Sequence, residues 1–214
     1  MAKVEAEADY RAVLQLEEKV LGSEHPNTLF TRQNLAEALF YEGRYAEAET
    51  EYRGVLKLDE KVLGAEHPET LVTRNGLGDT LEAEGRYAEA ETEDRAVFAL
   101  EEKVLGSEHP DTLTTRNNLA NVLSHQGKYA DAETEYRAVL ALKEKVIGPE
   151  HPDTLRTCFD LARCLRAEGE IRQAAPFAKR AADGARKVLG ADHPATKKYE
   201  KLVQELQAAA EGES

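Results

Sequence analysis

The segment Glu-His-Pro-x-Thr returns every 42 residues, with His25, His67, His109, His151 and His193 marking five copies and only Asp192 departing from the leading acid. A chain with so regular a period is one supersecondary unit repeated. Each unit can bury its apolar side only against the next, so the units stack and do not fold as separate domains. That constraint overrides the two-domain expectation that 214 residues would otherwise carry.

Within one copy, residues 22–63, the order of signals is that of a helical hairpin. Pro26 suits a first helical turn, where its missing N–H would have no partner anyway, which leaves His25 as the N-cap. Leu29, Leu35, Ala36 and Leu39 follow at helical spacing, and Gly43 can take the left-handed turn that ends a helix. A second helix runs from Tyr45 to Leu63, with Ala48, Tyr52, Val55, Leu56, Leu58 and Val62 on its apolar side and Glu47, Glu51, Lys57 and Lys61 opposite.

The run Asn34-Leu35-Ala36…Leu39…Gly43-Arg44-Tyr45…Ala48…Tyr52 resembles the tetratricopeptide repeat. The 42-residue period and the His-Pro-x-Thr-Leu…Asn-Leu-Ala segment are most similar to its kinesin-light-chain-like subgroup. The resemblance covers nearly the whole chain. It implies an all-α fold, a right-handed solenoid of antiparallel helix hairpins, over residues 1–214 as a single array. In this register residues 3–21 form an unpaired helix, residues 25–63, 67–105, 109–147 and 151–189 form four hairpins, and residues 194–210 form a last helix whose charges suit a solvent-facing cap. The fourth hairpin departs most, with Ile171 in place of the tyrosine and Pro176 inside its second helix. Beginning in mid-repeat, the chain reads as a segment of a longer array or of a multidomain protein, and Tyr10, Val13 or Leu14 left uncovered could drive self-association through the terminal helices.

Composition narrows the function classes. The balance of 28 basic against 41 acidic residues gives −13, which argues against nucleic-acid binding, since that needs clustered Lys and Arg. No apolar run approaches a membrane span, and the first residues lack the apolar core of a signal peptide, so no membrane partner is expected and a cytoplasmic location is. Cys158 and Cys164 sit six apart on one helix, roughly 9 Å along its axis and outside disulfide reach, which suits reduced intracellular thiols.

The near-identical copies allow an internal comparison. Residues 22–63 and 106–147 agree at 28 of 42 positions. Five of the differences, Phe30/Thr114, Gln33/Asn117, Glu37/Asn121, Phe40/Ser124 and Tyr41/His125, fall at i, i+3, i+7, i+10 and i+11 of the first helix, one stripe on a face apart from most of the packing residues. In the family this chain resembles, the same stripe lines a concave groove that receives extended peptides. The groove expected here is built from Gln33, Asn34, Glu37 and Tyr41 in the first copy, Asn75 and Asp79 in the second, Asn117, Asn118, Asn121 and His125 in the third, and Arg156, Arg163 and Arg166 in the fourth.

Asn34 and Asn118 match the family's backbone-binding asparagine, whereas Gly76 and Asp160 break that ladder; these asparagines are either peptide clamps or solvated polar residues. The second row is acidic through Asp79 and Glu82. The fourth is basic, so its arginines either hold the acidic part of a ligand or pair with Asp160 and Glu168.

The registered histidines lie on different repeats, too far apart to share an ion, so no metal or cofactor is expected, and His125 reads as a contact residue. Arg32, Arg74 and Arg116 recur on the apolar side of the first helix, where each should reach a glutamate of the second. Asp94, in place of Tyr52 and Tyr136, marks the second hairpin with Gly76 as the softest. No nucleophile beside a base and no phosphate-binding loop occurs, so the chain does not read as an enzyme. Two functions remain open. One is a protein-interaction module holding a peptide or partner segment in its groove, as part of a larger signalling or scaffold protein. The other is a structural spacer or self-assembling array with no groove ligand.

Overall fold

The computed structural model describes residues 2–212, with side chains from 7 to 211. Helices occupy Ala2–Val20 (α1), Pro26–Tyr41 (α2), Tyr45–Val62 (α3), Pro68–Ala83 (α4), Tyr87–Val104 (α5), Pro110–His125 (α6), Tyr129–Val146 (α7), Pro152–Glu168 (α8), Ile171–Leu189 (α9) and Pro194–Gly212 (α10). Two chemical devices set these boundaries. Before each of α2, α4, α6, α8 and α10, the histidine Nδ1 accepts the backbone N–H two residues on, at 3.2–3.3 Å. That bond satisfies one of the donors a helix start leaves open, and it requires the Nδ1 lone pair to be free of a proton. The second device is a glycine with positive φ every 21 residues, from Gly22 (φ 92°) to Gly190 (φ 90°), which turns the chain out of each helix.

The chain divides into two compact units, Met1–Val104 and Leu105–Ser214. In the first, α1 to α5 pack each on the next, and α2 also touches α4. In the second, α6 to α10 do the same, and α6 touches α8 as α8 touches α10. Within each unit, then, the helices that begin at His-Pro (A-type) meet one another, whereas no such contact joins the intervening B-type helices among the described residues. The A-type helices form the tighter layer, and hollows between them open on that side.

The first unit's core alternates Leu29, Leu35, Leu39, Leu71, Leu77 and Leu81 of the A-type helices with Ala48, Tyr52, Val55, Ala90 and Val97 of the B-type helices. In the second unit, α9 supplies mainly alanines, Ala174, Ala178, Ala181 and Ala185, so α8 and α10 seat close against it through Leu161, Leu165, Leu202 and Leu206. Pro176 lies inside α9, which continues past it, exposed and away from that core. Arg32 and Arg116 reach Glu51 and Glu135 of their own hairpins at 2.7 and 2.6 Å, as the sequence predicts. Arg74 differs: it reaches back to Glu60 on the preceding hairpin, at 2.6 Å. Leu14, expected among the uncovered residues of α1, is buried, while Val13 is exposed.

Candidate functional site

In the first unit a hollow of about 210 Å³ lies between α2 and α4. It gathers Gln33, Glu37, Tyr41, Asn75 and Asp79 of the sequence-predicted set, with Phe40, Tyr52, Val72 and Gly76 completing the wall. Its shape depends on Gly76, because a Cβ there would stand 2.5 Å from the Tyr52 ring. With Gly76 in place of the asparagine of the first and third copies, the Tyr52 ring occupies the space that a side chain there would need. Burial, together with Glu37 and Asp79, raises the Tyr52 phenol above its ordinary value and keeps it a neutral donor. Phe40 and Tyr41 meet edge to face at 5.5 Å. The hollow therefore combines aromatic rings with two carboxylates, and the carboxylates suit it to a basic side chain.

A second cavity of about 270 Å³ opens at the starts of α2 and α4, walled by Leu29, Phe30, Gln33, Leu63 and His67, with Asp59 at its base. Thr73 donates to Asp59 at 2.8 Å.

In the second unit a hollow of about 230 Å³ gathers Asn121, His125, Arg163 and Arg166 with Ser124, Tyr129, Tyr136 and Asp160. Tyr136 donates to Asn121 Oδ1 at 2.6 Å, fixing the amide's oxygen inward. Burial raises the Asp160 carboxyl, and Arg156 and Arg163 oppose that rise. Arg163 Nη1 stands 3.9 Å from Asp160 and its guanidinium 5.8 Å from the centre of the Phe159 ring. Arg166 pairs with Glu205 of α10, not with Glu168. Burial and then Arg163 push the His125 imidazole below its ordinary value, so it enters this hollow uncharged near neutral pH. Two half-exposed arginines beside a neutral imidazole and an amide suit an anionic group.

One expected groove residue is placed elsewhere. Asn117 is fully buried and accepts from Thr157 at 2.8 Å, so it offers nothing to a ligand. Its register mates differ: Asn75 donates to buried Glu101 at 2.9 Å while still lining its hollow, Gln33 stays on the hollow's wall, and Phe159 stacks on Tyr199 of α10 with ring centres 4.5 Å apart. Asn75 directly, and Asn117 through Thr157, join a polar column on the B-type helices, Asp59, Glu101 and Lys143, spaced by 42 residues and all buried. The i+3 position of the stripe sits at the edge of this column: Asn117 is sealed, whereas Gln33 and Asn75 keep a face on the first unit's hollow. A polar residue recurring amid the apolar register of the B-type helices was the available signal. Asn34 and Arg156 stand outside the two hollows, and Asn118 is half-buried on α6.

The tetratricopeptide repeat model matches residues 4–53, 32–100, 77–145 and 111–187. The chain belongs to the tetratricopeptide repeat family. Its repeats are of the kinesin-light-chain-like kind: a Podosopora anserina protein assigned as a kinesin light chain, with nearly identical TPR-like repeats, shares 30% identity at a TM-score of 0.73, over 86% of this chain and 88% of that one. BtubC (BKLC) from P. vanneervenii superposes with a TM-score of 0.72 at 17% identity, over 99% and 93% of the two chains. Bacillus thuringiensis PlcR, in complex with the peptide PapR7 and DNA, superposes at 0.68 with 15% identity, over 92% and 69%. No curated protein matches this tetratricopeptide chain. Among the described residues no three His, Cys, Asp or Glu side chains come together as metal ligands, and no helix is long and apolar enough to cross a membrane.

Proposed function

We propose that this chain is a protein-interaction module in which the hollows between A-type helices hold parts of a partner polypeptide. The observation that carries this reading is where the copies differ. Glu37 and Tyr41 in the first copy become Asn121 and His125 in the third, and all four line hollows, while Leu35/Leu119 and Leu39/Leu123 are held in the core. Variation aimed at open space and withheld from packing is what a recognition surface requires. The fold relative PlcR, solved with a peptide bound, supports a peptide or protein partner. Opposite chemistry in the two hollows gives such a partner a basic residue at Glu37 and Asp79 and an acidic one at Arg163 and Arg166.

A library of extended peptides carrying one acidic and one basic residue, screened by fluorescence anisotropy, tests the proposal. Saturable binders should lose about tenfold or more in affinity on Arg163→Ala with Arg166→Ala, the cost of one good charge-assisted contact. A flattened salt dependence should accompany that loss. Peptide binding insensitive to this double substitution would overturn the assignment of the second hollow, and self-association with no peptide binding at all would leave the structural-spacer reading in its place.

A further inference from the structure

The cavity at the starts of α2 and α4 contains one member of the buried polar column, and it is the member least provided with partners. In the second hairpin Glu101 accepts a carboxamide N–H from Asn75, and in the third Lys143 donates to Thr157. Asp59 of the first hairpin is 2% exposed and lines the cavity. Thr73 donates to its Oδ2 at 2.8 Å, and no hydrogen bond reaches Oδ1 among the described residues. Gln33 stands in the register of Asn75 but does not take over its role, because Asp59 is one methylene shorter than Glu101. The shortened side chain leaves about 270 Å³ of space beside a carboxylate oxygen. Burial raises the Asp59 carboxyl, against the Thr73 bond that lowers it.

We infer that this cavity seats a lysine side chain of the partner polypeptide, with the ammonium on Asp59 Oδ1. The inference rests on the polypeptide-binding reading above and names one residue of its partner. Leu29, Leu63 and the exposed Phe30 ring offer apolar walls to a four-carbon stem, while Asp59 and exposed Glu69 supply two negative charges. The helix starts beside the cavity carry roughly half a positive charge each, which two carboxylates outweigh. A buried carboxylate short of partners is costly, and an ammonium removes that cost. Lysine fits better than arginine because Thr73 already holds one carboxylate oxygen. A guanidinium fork uses both oxygens, whereas an ammonium uses one. The cavity shares only Gln33 with the hollow at Glu37 and Asp79, so it is a separate seat. In the second unit Lys143 occupies the register of Asp59 with opposite charge, which confines the preference to the first unit.

Lysine blocked at both ends (Nα-acetyl, N-methylamide), titrated into the 15N-labelled 214-residue chain, tests the cavity without any peptide. Amides of Phe30, Asp59, Leu63 and His67 should shift saturably. Blocked norleucine, which lacks the ammonium, should bind about tenfold more weakly, and blocked arginine several-fold more weakly. Asp59→Asn preserves the shape and the Thr73 bond and should weaken lysine binding about tenfold. Glu69→Gln, at an exposed position, should weaken it by about twofold. In a peptide binder from the library screen, acetylating the seated lysine should reproduce the norleucine loss. Absence of saturable shifts at tens of millimolar overturns the assignment, as does norleucine or arginine binding as well as lysine, or indifference to Asp59→Asn. Peptide binders unaffected by acetylation of any lysine overturn it too, and leave the peptide reading in place. Blocked lysine seated at Asp59 in a chain that binds no peptide upholds the cavity and overturns that reading instead.

Discussion

Two buried ionisable side chains stand at equivalent depth with opposite sign, and each makes its unit's stability depend on pH. Asp94 is almost wholly buried, its Oδ2 has no hydrogen-bond partner among the described residues, and burial, then Asp79 and Glu82, push its carboxyl up to about 8. Between the ordinary carboxylate range and pH 8 the folded chain keeps a proton that the unfolded chain has lost. Asp94 therefore lowers stability progressively as pH rises through that window, with the full penalty above it. Asp94→Asn should flatten this decline and raise stability at pH 8.5 by roughly 1–3 kcal/mol, measured by urea unfolding at pH 5 and 8.5. Lys143, buried and donating to Thr157 at 3.1 Å, is brought down to about 8 by burial and then by Arg156. Its penalty is complete below pH 8 and is relieved between 8 and the ordinary lysine value. Lys143→Met should therefore stabilise the chain at pH 7, on the order of 1–3 kcal/mol in denaturant titrations, with less gain at pH 10.

At the scale of elements, each A-type helix starts on a histidine that serves as an N-cap through Nδ1. His151→Ala removes that acceptor and should cost about 0.5–2 kcal/mol, seen as a lower thermal midpoint, with Asp at the same position restoring much of the loss. Helix boundaries were readable from the residues because they rest on local chemistry: His-Pro at each A-type start, and a glycine every 21 residues at each end. The stripe of variable residues was readable only in part. At i+7 and i+11 it faces the hollows, as Glu37, Tyr41, Asn121 and His125 show. At i+3 the outcome varies, with Gln33 and Asn75 still on a hollow's wall and Asn117 sealed, because the packing of neighbouring helices decides which flank is covered, and helical periodicity carries no crossing angle. Asn117 was misread for that reason. The pairing of Arg166 with Glu205, 39 residues away, depends on how α10 returns to α8 and could not be read from spacing.

For the molecule as a whole, the contact pattern predicts local consequences of local damage. Stacked repeats touch only their neighbours, so stability is a sum of repeat and nearest-neighbour contributions. Leu39, almost completely buried in the first unit, should cost about 2–5 kcal/mol when cut to Ala. Hydrogen exchange should then quicken throughout Met1–Val104 and change much less in Leu105–Ser214; equal acceleration in both would contradict the division. The left-handed glycines carry one more consequence. Gly64 and Gly106 have almost the same φ, 95° and 92°, within the near-duplicate stretches Lys61–Pro68 and Lys103–Pro110, and no other group crowds either one. Excising one period between them would join glycines of the same backbone conformation within nearly the same local sequence, so the turn itself needs no redesign when a whole module is removed or added.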